Sequence, residues 1–194
     1  MNSETAKKIE IYISREEWRK ARLLISRELK KSPDDHWLVT RLGSIYYEEY
    51  EYEKSLELSE KAMKLAPKCP LVLWDYAGSL DMVNKNKEAI AIWKKLLKKG
   101  VEAIAYGDCG EGVRWARSLL NDCRYRISRS YEKLGNISAS IRFLEEHIAN
   151  RSPGIPSIYD LSVVKRELSE LLLKKGGGFG VTYEKGLSSK KYHS

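Results

Sequence analysis

The chain has 194 residues, of which 42% are hydrophobic and 32% are charged. This composition excludes a disordered chain, and the length is typical of one domain with its own core. The net charge is +8, and the few Pro (5) and Cys (3) residues favour long helices over a disulfide scaffold. Because residues 1–8 lack the apolar core of a signal peptide and no apolar run could cross a bilayer, we expect a cytoplasmic protein.

A pattern of small and aromatic residues recurs every 34 residues along the chain. Gly43 corresponds to Ala77 one period later, and Tyr46 corresponds to Tyr12 one period earlier. Small residues let two helices approach closely, and aromatic residues fill the space beside a neighbouring helix. The pattern then fails once and resumes after an insertion. The predicted repeats are 2–35, 36–69, 70–103 and 121–154, with an insertion at 104–120.

Each repeat predicts two helices. A capping-box spacing at Ser14 and Glu17 suggests the start of the second helix, and the apolar stripe of the fourth repeat extends its first helix back to about Val113. A further stripe after the last repeat predicts a capping helix over about 158–175, which makes about nine helices. Residues 176–194 form a basic tail rich in Gly, Ser and Lys, and we expect the domain 1–175 to fold without it.

Repeat 36–69 resembles the tetratricopeptide repeat (TPR) family, because Leu42, Gly43, Tyr46, Ala62 and Pro67 match its helix–turn–helix pattern. The resemblance implies an all-α, right-handed α-solenoid of stacked helix pairs that ends in a capping helix. It also implies a non-catalytic protein-interaction module with a protein or peptide partner. In this family the first helix of each pair lines a concave groove that binds a peptide or a protein surface.

By the same resemblance, certain positions of each first helix face the groove. Trp, Tyr and Arg at these positions are the residue types that dominate binding energies. The alternative is that Trp37 and Trp74 pack between repeats. The predicted peptide-binding residues are Trp37, Arg41, Tyr47, Trp74, Asp75, Asp81, Tyr125, Arg126 and Arg129.

The insertion 104–120 has two possible roles. It contains a Gly-rich stretch followed by a predicted helix start, with Asp108, Glu111 and Trp115 as candidate binding residues. One hypothesis makes it a recognition loop at the edge of the groove. The other makes it a connection that fills a gap between repeats.

Basic residues concentrate in the helix of the fourth repeat and in the tail. Arg126 and Arg129 are three residues apart and share a helix face, which favours a peptide partner that carries acidic residues beside a large apolar one. The alternative is a nucleic-acid-binding protein that uses the basic fourth repeat and the tail. No membrane partner is indicated.

No motif of a known catalytic or metal site appears in the sequence. His36, His147 and His193 are not spaced for catalysis, and HExxH, Walker A and GxSxG motifs are absent. Cys109 and Cys123 are too far apart in sequence for a paired metal motif. We therefore expect no enzyme activity, no cofactor and no metal.

Overall fold

The computed structural model describes residues 3–151 and 154–176. Over these residues it contains nine helices and no strand, which confirms the all-α class. Within the described part of the chain, every helix is too short or too polar to cross a membrane. The helices are α1 (Ser3–Ser14), α2 (Trp18–Lys31), α3 (His36–Glu48), α4 (Tyr52–Leu65), α5 (Pro70–Met82), α6 (Asn86–Ala105), α7 (Val113–Lys133), α8 (Ile137–Ala149) and α9 (Leu161–Gly176).

Local sequence explains where several helices begin. The Asp35 carboxylate accepts a hydrogen bond from the backbone N–H of Leu38 at 3.2 Å and so caps α3. Pro70 opens α5, a position where its missing N–H costs nothing. The capping box expected at Ser14 is wrong: this residue ends α1, and its hydroxyl donates to the carbonyl oxygen of Ile11 at 3.0 Å.

Each helix packs against its neighbours in the chain, and α3 also packs against α5. The first helices of the pairs, α1, α3, α5 and α7, line one common cavity and form the inner layer, whereas no described residue of a second helix lines that cavity. The largest apolar core joins the third and fourth pairs through α5, α6, α7 and α8 and includes the fully buried Trp93. A single pair could not bury its apolar face, so the stack stabilises each pair through its neighbours.

Gly43 lies where α3 crosses α4. A Cβ atom at this position would lie 3.4 Å from the Cβ of Leu58 and 3.6 Å from the Oγ of Ser59. Ala77, one period later, is fully buried. Both residues thus stand at close packing positions, as the repeat register predicts.

The region of the predicted insertion is mostly helical. Helix α6 continues to Ala105 and is interrupted at Gly100, whose φ of 79° few other residues adopt. Residues 106–112 form a loop, and α7 begins at Val113 as the apolar stripe predicts. The insertion therefore contributes a short loop and the first turns of a long helix.

Helix α9 covers the last repeat. It begins at Leu161 rather than at the predicted 158, and it buries Val164 and Leu171 against Ile141 and Leu144 of α8. The tail beyond Gly176 lies outside the described residues.

Candidate functional site: the concave layer

The first helices surround an open cavity of about 860 Å³. This volume falls within the range of ligand-binding clefts. Three half-buried tryptophans lie on its wall: Trp37 from α3, Trp74 from α5 and Trp115 from α7. The structure thus brings Trp37 and Trp74, which are predicted to bind a peptide, together with Trp115, a candidate residue of the insertion. Apolar lining also comes from Ile11, Leu71, Leu119 and Ile158.

Arg41 is held against one wall of the cavity. Its guanidinium carbon lies 5.3 Å from the ring centre of Trp37, and its Nε lies 2.6 Å from the Oε1 of Glu10 in α1. The cation–π contact and the ion pair fix the side chain, and Glu10 offsets its charge. Arg41 therefore shapes the wall and contributes little free positive charge.

Asp75 is a half-buried acid beside Trp74. Its Oδ2 atom is buried and has no hydrogen-bond partner among the described residues. Burial raises the pKa of Asp75 to about 7, although the positive charge of Arg41 acts in the opposite direction. An unpaired carboxylate of this kind is complementary to a positively charged ligand group.

A smaller cavity of about 110 Å³ lies next to Trp74 and Asp75. Gly78 forms part of its wall, where the missing side chain leaves room. Arg126 lies on the opposite side. Its Nη2 donates a hydrogen bond to the Tyr47 hydroxyl at 2.9 Å, and its guanidinium carbon is 5.9 Å from the ring centres of both Tyr47 and Tyr159.

The chain itself covers the concave side of α7. In the segment 155–160, the Ser157 hydroxyl and the Ile158 backbone N–H donate to the carboxylate of Asp122. The ring of Tyr159 stacks on Tyr125 with 3.8 Å between ring centres. Sequence reasoning missed these contacts, because they join residues of the segment to residues of α7 that are distant in the chain. Tyr125, predicted to face a partner, faces the chain's own residues.

Asp81 and Arg129 lie outside both cavities, and the prediction that Asp81 faces an open groove is wrong. Asp81 is 2% exposed and accepts hydrogen bonds from the Ser130 hydroxyl at 2.7 Å and from Lys133 Nζ at 2.9 Å. Arg129 pairs with Glu132 at 2.6 Å. Asp81 therefore joins α5 to α7, and Arg129, whose partner Glu132 lies in α7 itself, also lies 3.8 Å from Glu167 of α9.

The loop 106–112 reaches the edge of the large cavity. Glu111 lies on the cavity wall together with Trp115, whereas Asp108 is exposed and does not line it. The backbone oxygen of Asp108 accepts a hydrogen bond from the Cys69 thiol at 3.6 Å. The loop therefore belongs to the same surface as the tryptophans.

A cluster of three further side chains lies beside this surface. His36 Nε2 is 3.2 Å from Cys109 Sγ, and the ligand atoms of His36, Cys69 and Cys109 all lie within 4.8 Å of one another. The hydrogen bond with Cys109 lowers the pKa of the Cys69 thiol. Cys123, which the sequence separates from Cys109 by too many residues for a paired metal motif, is buried in the core of α7. No sequence motif predicts this cluster.

No protein-family model and no curated protein matches this sequence. Solved structures nevertheless share its fold. A crystal structure of MamA is similar with a TM-score of 0.64 and 16% identity, over 91% of this chain and 86% of that one. A second crystal structure of MamA protein gives a TM-score of 0.57 and 17% identity, over 97% and 100%. The fold is TPR-like. At such low identities the likeness concerns the fold alone.

Proposed function

We propose that the chain is a non-catalytic protein-interaction module that binds an extended peptide segment in the large concave cavity. The observation that carries this proposal is the convergence of Trp37, Trp74 and Trp115, one from each of three successive first helices, on one open cavity. Tryptophan side chains in such positions supply large apolar area at low entropic cost.

The chain's own segment 155–160 supports the proposal. It runs along the same layer, pairs Ser157 with Asp122, and stacks Tyr159 on Tyr125. This surface therefore has the donors, acceptors and aromatic faces that an extended peptide needs. The adjoining cavity between α1, α3, α5 and α7 offers the same kind of surface to a second peptide.

The charge of the cavity favours a basic residue in the partner rather than the acidic residues expected from the sequence. That expectation depended on Arg126 and Arg129, and both are engaged in contacts within the fold. The charged residues on the cavity wall are four acids and two bases: Glu10, Asp75, Glu111, Asp122, Lys7 and Arg41. We propose a ligand that places a large apolar side chain among the tryptophans and a Lys or Arg beside Asp75.

Nucleic-acid binding finds less support in the described residues. Three basic side chains of α7 have acidic partners: Lys133 pairs with Asp81, Arg129 pairs with Glu132, and Arg124 lies 3.9 Å from Glu146. The basic tail lies outside the described residues. Binding to random RNA at two salt concentrations tests this alternative, because several phosphate contacts would give a steep loss of affinity with salt.

The test is a selection of random linear peptides on the immobilised protein. We expect the enriched peptides to carry an aromatic or large aliphatic residue next to Lys or Arg, and to bind Trp74→Ala at least about tenfold more weakly. Trp18→Ala is the matched control, since Trp18 lies in the outer helix α2 and packs within the first two pairs. Equal binding to both variants would refute the proposed site.

The buried carboxylate gives this experiment a second readout. Because the pKa of Asp75 is about 7, a peptide cation meets a mostly protonated acid below this pH and an ionised one above it. We expect the affinity to rise as the pH is raised through 7, and Asp75→Asn to remove this dependence. A peptide that binds equally well on both sides of pH 7 would not contact Asp75 through a cation.

A further inference from the structure

The cluster of His36, Cys69 and Cys109 follows from the way the repeats stack. His36 is the first residue of α3, Cys69 directly precedes α5, and Cys109 lies in the loop before α7. Each residue thus stands at the N-terminal end of a first helix in three successive pairs. Since these helices lie side by side in one layer, their N-terminal ends meet at one edge of the stack.

We propose that this cluster binds a divalent cation of the zinc class through His36 Nε2, Cys69 Sγ and Cys109 Sγ. An imidazole nitrogen and two thiolates form a ligand set that zinc favours, with a water molecule as the fourth ligand. Zinc–sulfur and zinc–nitrogen bonds of about 2.3 and 2.0 Å place tetrahedral ligands less than about 4 Å apart. The three ligand atoms, all within 4.8 Å of one another, already approach this spacing.

The surroundings of the cluster suit a cation held by thiolates. Cys69 is fully buried, while His36 and Cys109 are half-buried, so an ion has a path from solvent. The N-terminal ends of α3 and α5 favour ionised sulfur, and two thiolates balance the charge of a divalent ion. The ligands come from three separate repeats, so the ion would tie the loop 106–112 to the start of two helices.

This site would act on the fold rather than through catalysis. The loop carries Glu111 to the edge of the cavity, and Cys109 packs in the same apolar cluster as Trp37. Metal binding would hold this loop and this cavity wall together. The site does not depend on the proposed peptide function, and its test uses no peptide.

The test is metal binding by the full chain, purified under reducing conditions and stripped by a chelator. We expect one Zn²⁺ per chain in competition with a chromophoric chelator, and a Co²⁺ form whose charge-transfer absorption shows thiolate ligation. Loss of a ligand in His36→Ala or Cys109→Ala should weaken binding by more than about a hundredfold. Cys123→Ala is the control, because Cys123 lies in the α7 core, and it should bind as the parent does.

Circular dichroism shows whether each variant is folded, and Zn²⁺ should raise the melting temperature of the parent and of Cys123→Ala only. Equal affinity of Cys109→Ala and the parent would overturn the proposal. So would a reduced chain that binds no Zn²⁺, even if later exposure to air joins Cys69 and Cys109 in a disulfide and leaves one of the three thiols free.

Discussion

Replacing Asp75 by Asn should stabilise the protein at neutral and alkaline pH. The carboxylate lies beside Trp74 with its Oδ2 atom buried and unpartnered, and burial raises its pKa from the ordinary value of 3.8 to about 7. The folded state therefore prefers the neutral acid, and ionisation above pH 7 works against folding. Asn has nearly the same shape and carries no charge at any pH.

The magnitude and sign follow from proton linkage. One pKa unit corresponds to about 1.4 kcal/mol, so a shift of about three units destabilises the ionised protein by up to about 4 kcal/mol. Between pH 3.8 and about 7 the folded state binds more protons than the unfolded state, so the contribution of Asp75 to stability falls as the pH rises through this window. Above about pH 7 the loss of stability caused by the ionised Asp75 is complete.

Urea unfolding of the parent and of Asp75→Asn at several pH values between 4 and 8 measures this difference. The free energy of unfolding of the variant should equal that of the parent near pH 4. The advantage of the variant should grow as the pH rises and become constant above about pH 7. Asp34→Asn, a change at an exposed aspartate in the turn before α3, is the control and should show no such trend. A constant difference between parent and Asp75→Asn across the range would refute the argument.

Two further predictions concern packing and charge within the fold. Gly43→Leu should lower the free energy of unfolding by roughly 1–3 kcal/mol, because the larger side chain overpacks the α3–α4 crossing. Gly43→Ala should be tolerated, because its Cβ makes ordinary contacts. Similar melting temperatures for the two variants would contradict the close approach of α3 and α4. Arg126→Ala should lower the free energy of unfolding by about 1–3 kcal/mol through the lost contacts with Tyr47 and Tyr159. Arg129 is half-exposed, so Arg129→Ala should lower the free energy of unfolding by less than about 1 kcal/mol. A larger loss for Arg129→Ala than for Arg126→Ala in urea unfolding would contradict this assignment.

The sequence predicts the fold well because repeat stacking depends on local patterns. The period that aligns Gly43 with Ala77 determines which helix faces must pack, and this prediction needs only helical periodicity and the order of the repeats. The resemblance to the TPR family, rather than the period, implies that Trp37 and Trp74 face the concave layer. Trp115 is a candidate because it precedes Asp122, another position assigned to the inner face, by seven residues.

Other parts of the site depend on contacts between distant residues, which periodicity does not specify. Register alone does not show that Arg126 is enclosed by Tyr47 and Tyr159, nor that Asp81 pairs with Lys133, because these partners belong to different helices. The same holds for the approach of Cys69 to Cys109. The sequence therefore indicates the concave layer but not which of its charges are already paired.

The central claim is that a peptide binds among the tryptophans of the concave cavity. The most direct measurement is a two-dimensional NMR titration of the indole N–H signals of the chain's five tryptophans with a selected peptide. The signals of Trp37, Trp74 and Trp115 should shift and saturate together, while that of Trp18 in the outer layer should not move. Saturable binding of the peptide that leaves the three cavity signals unchanged would contradict the claim.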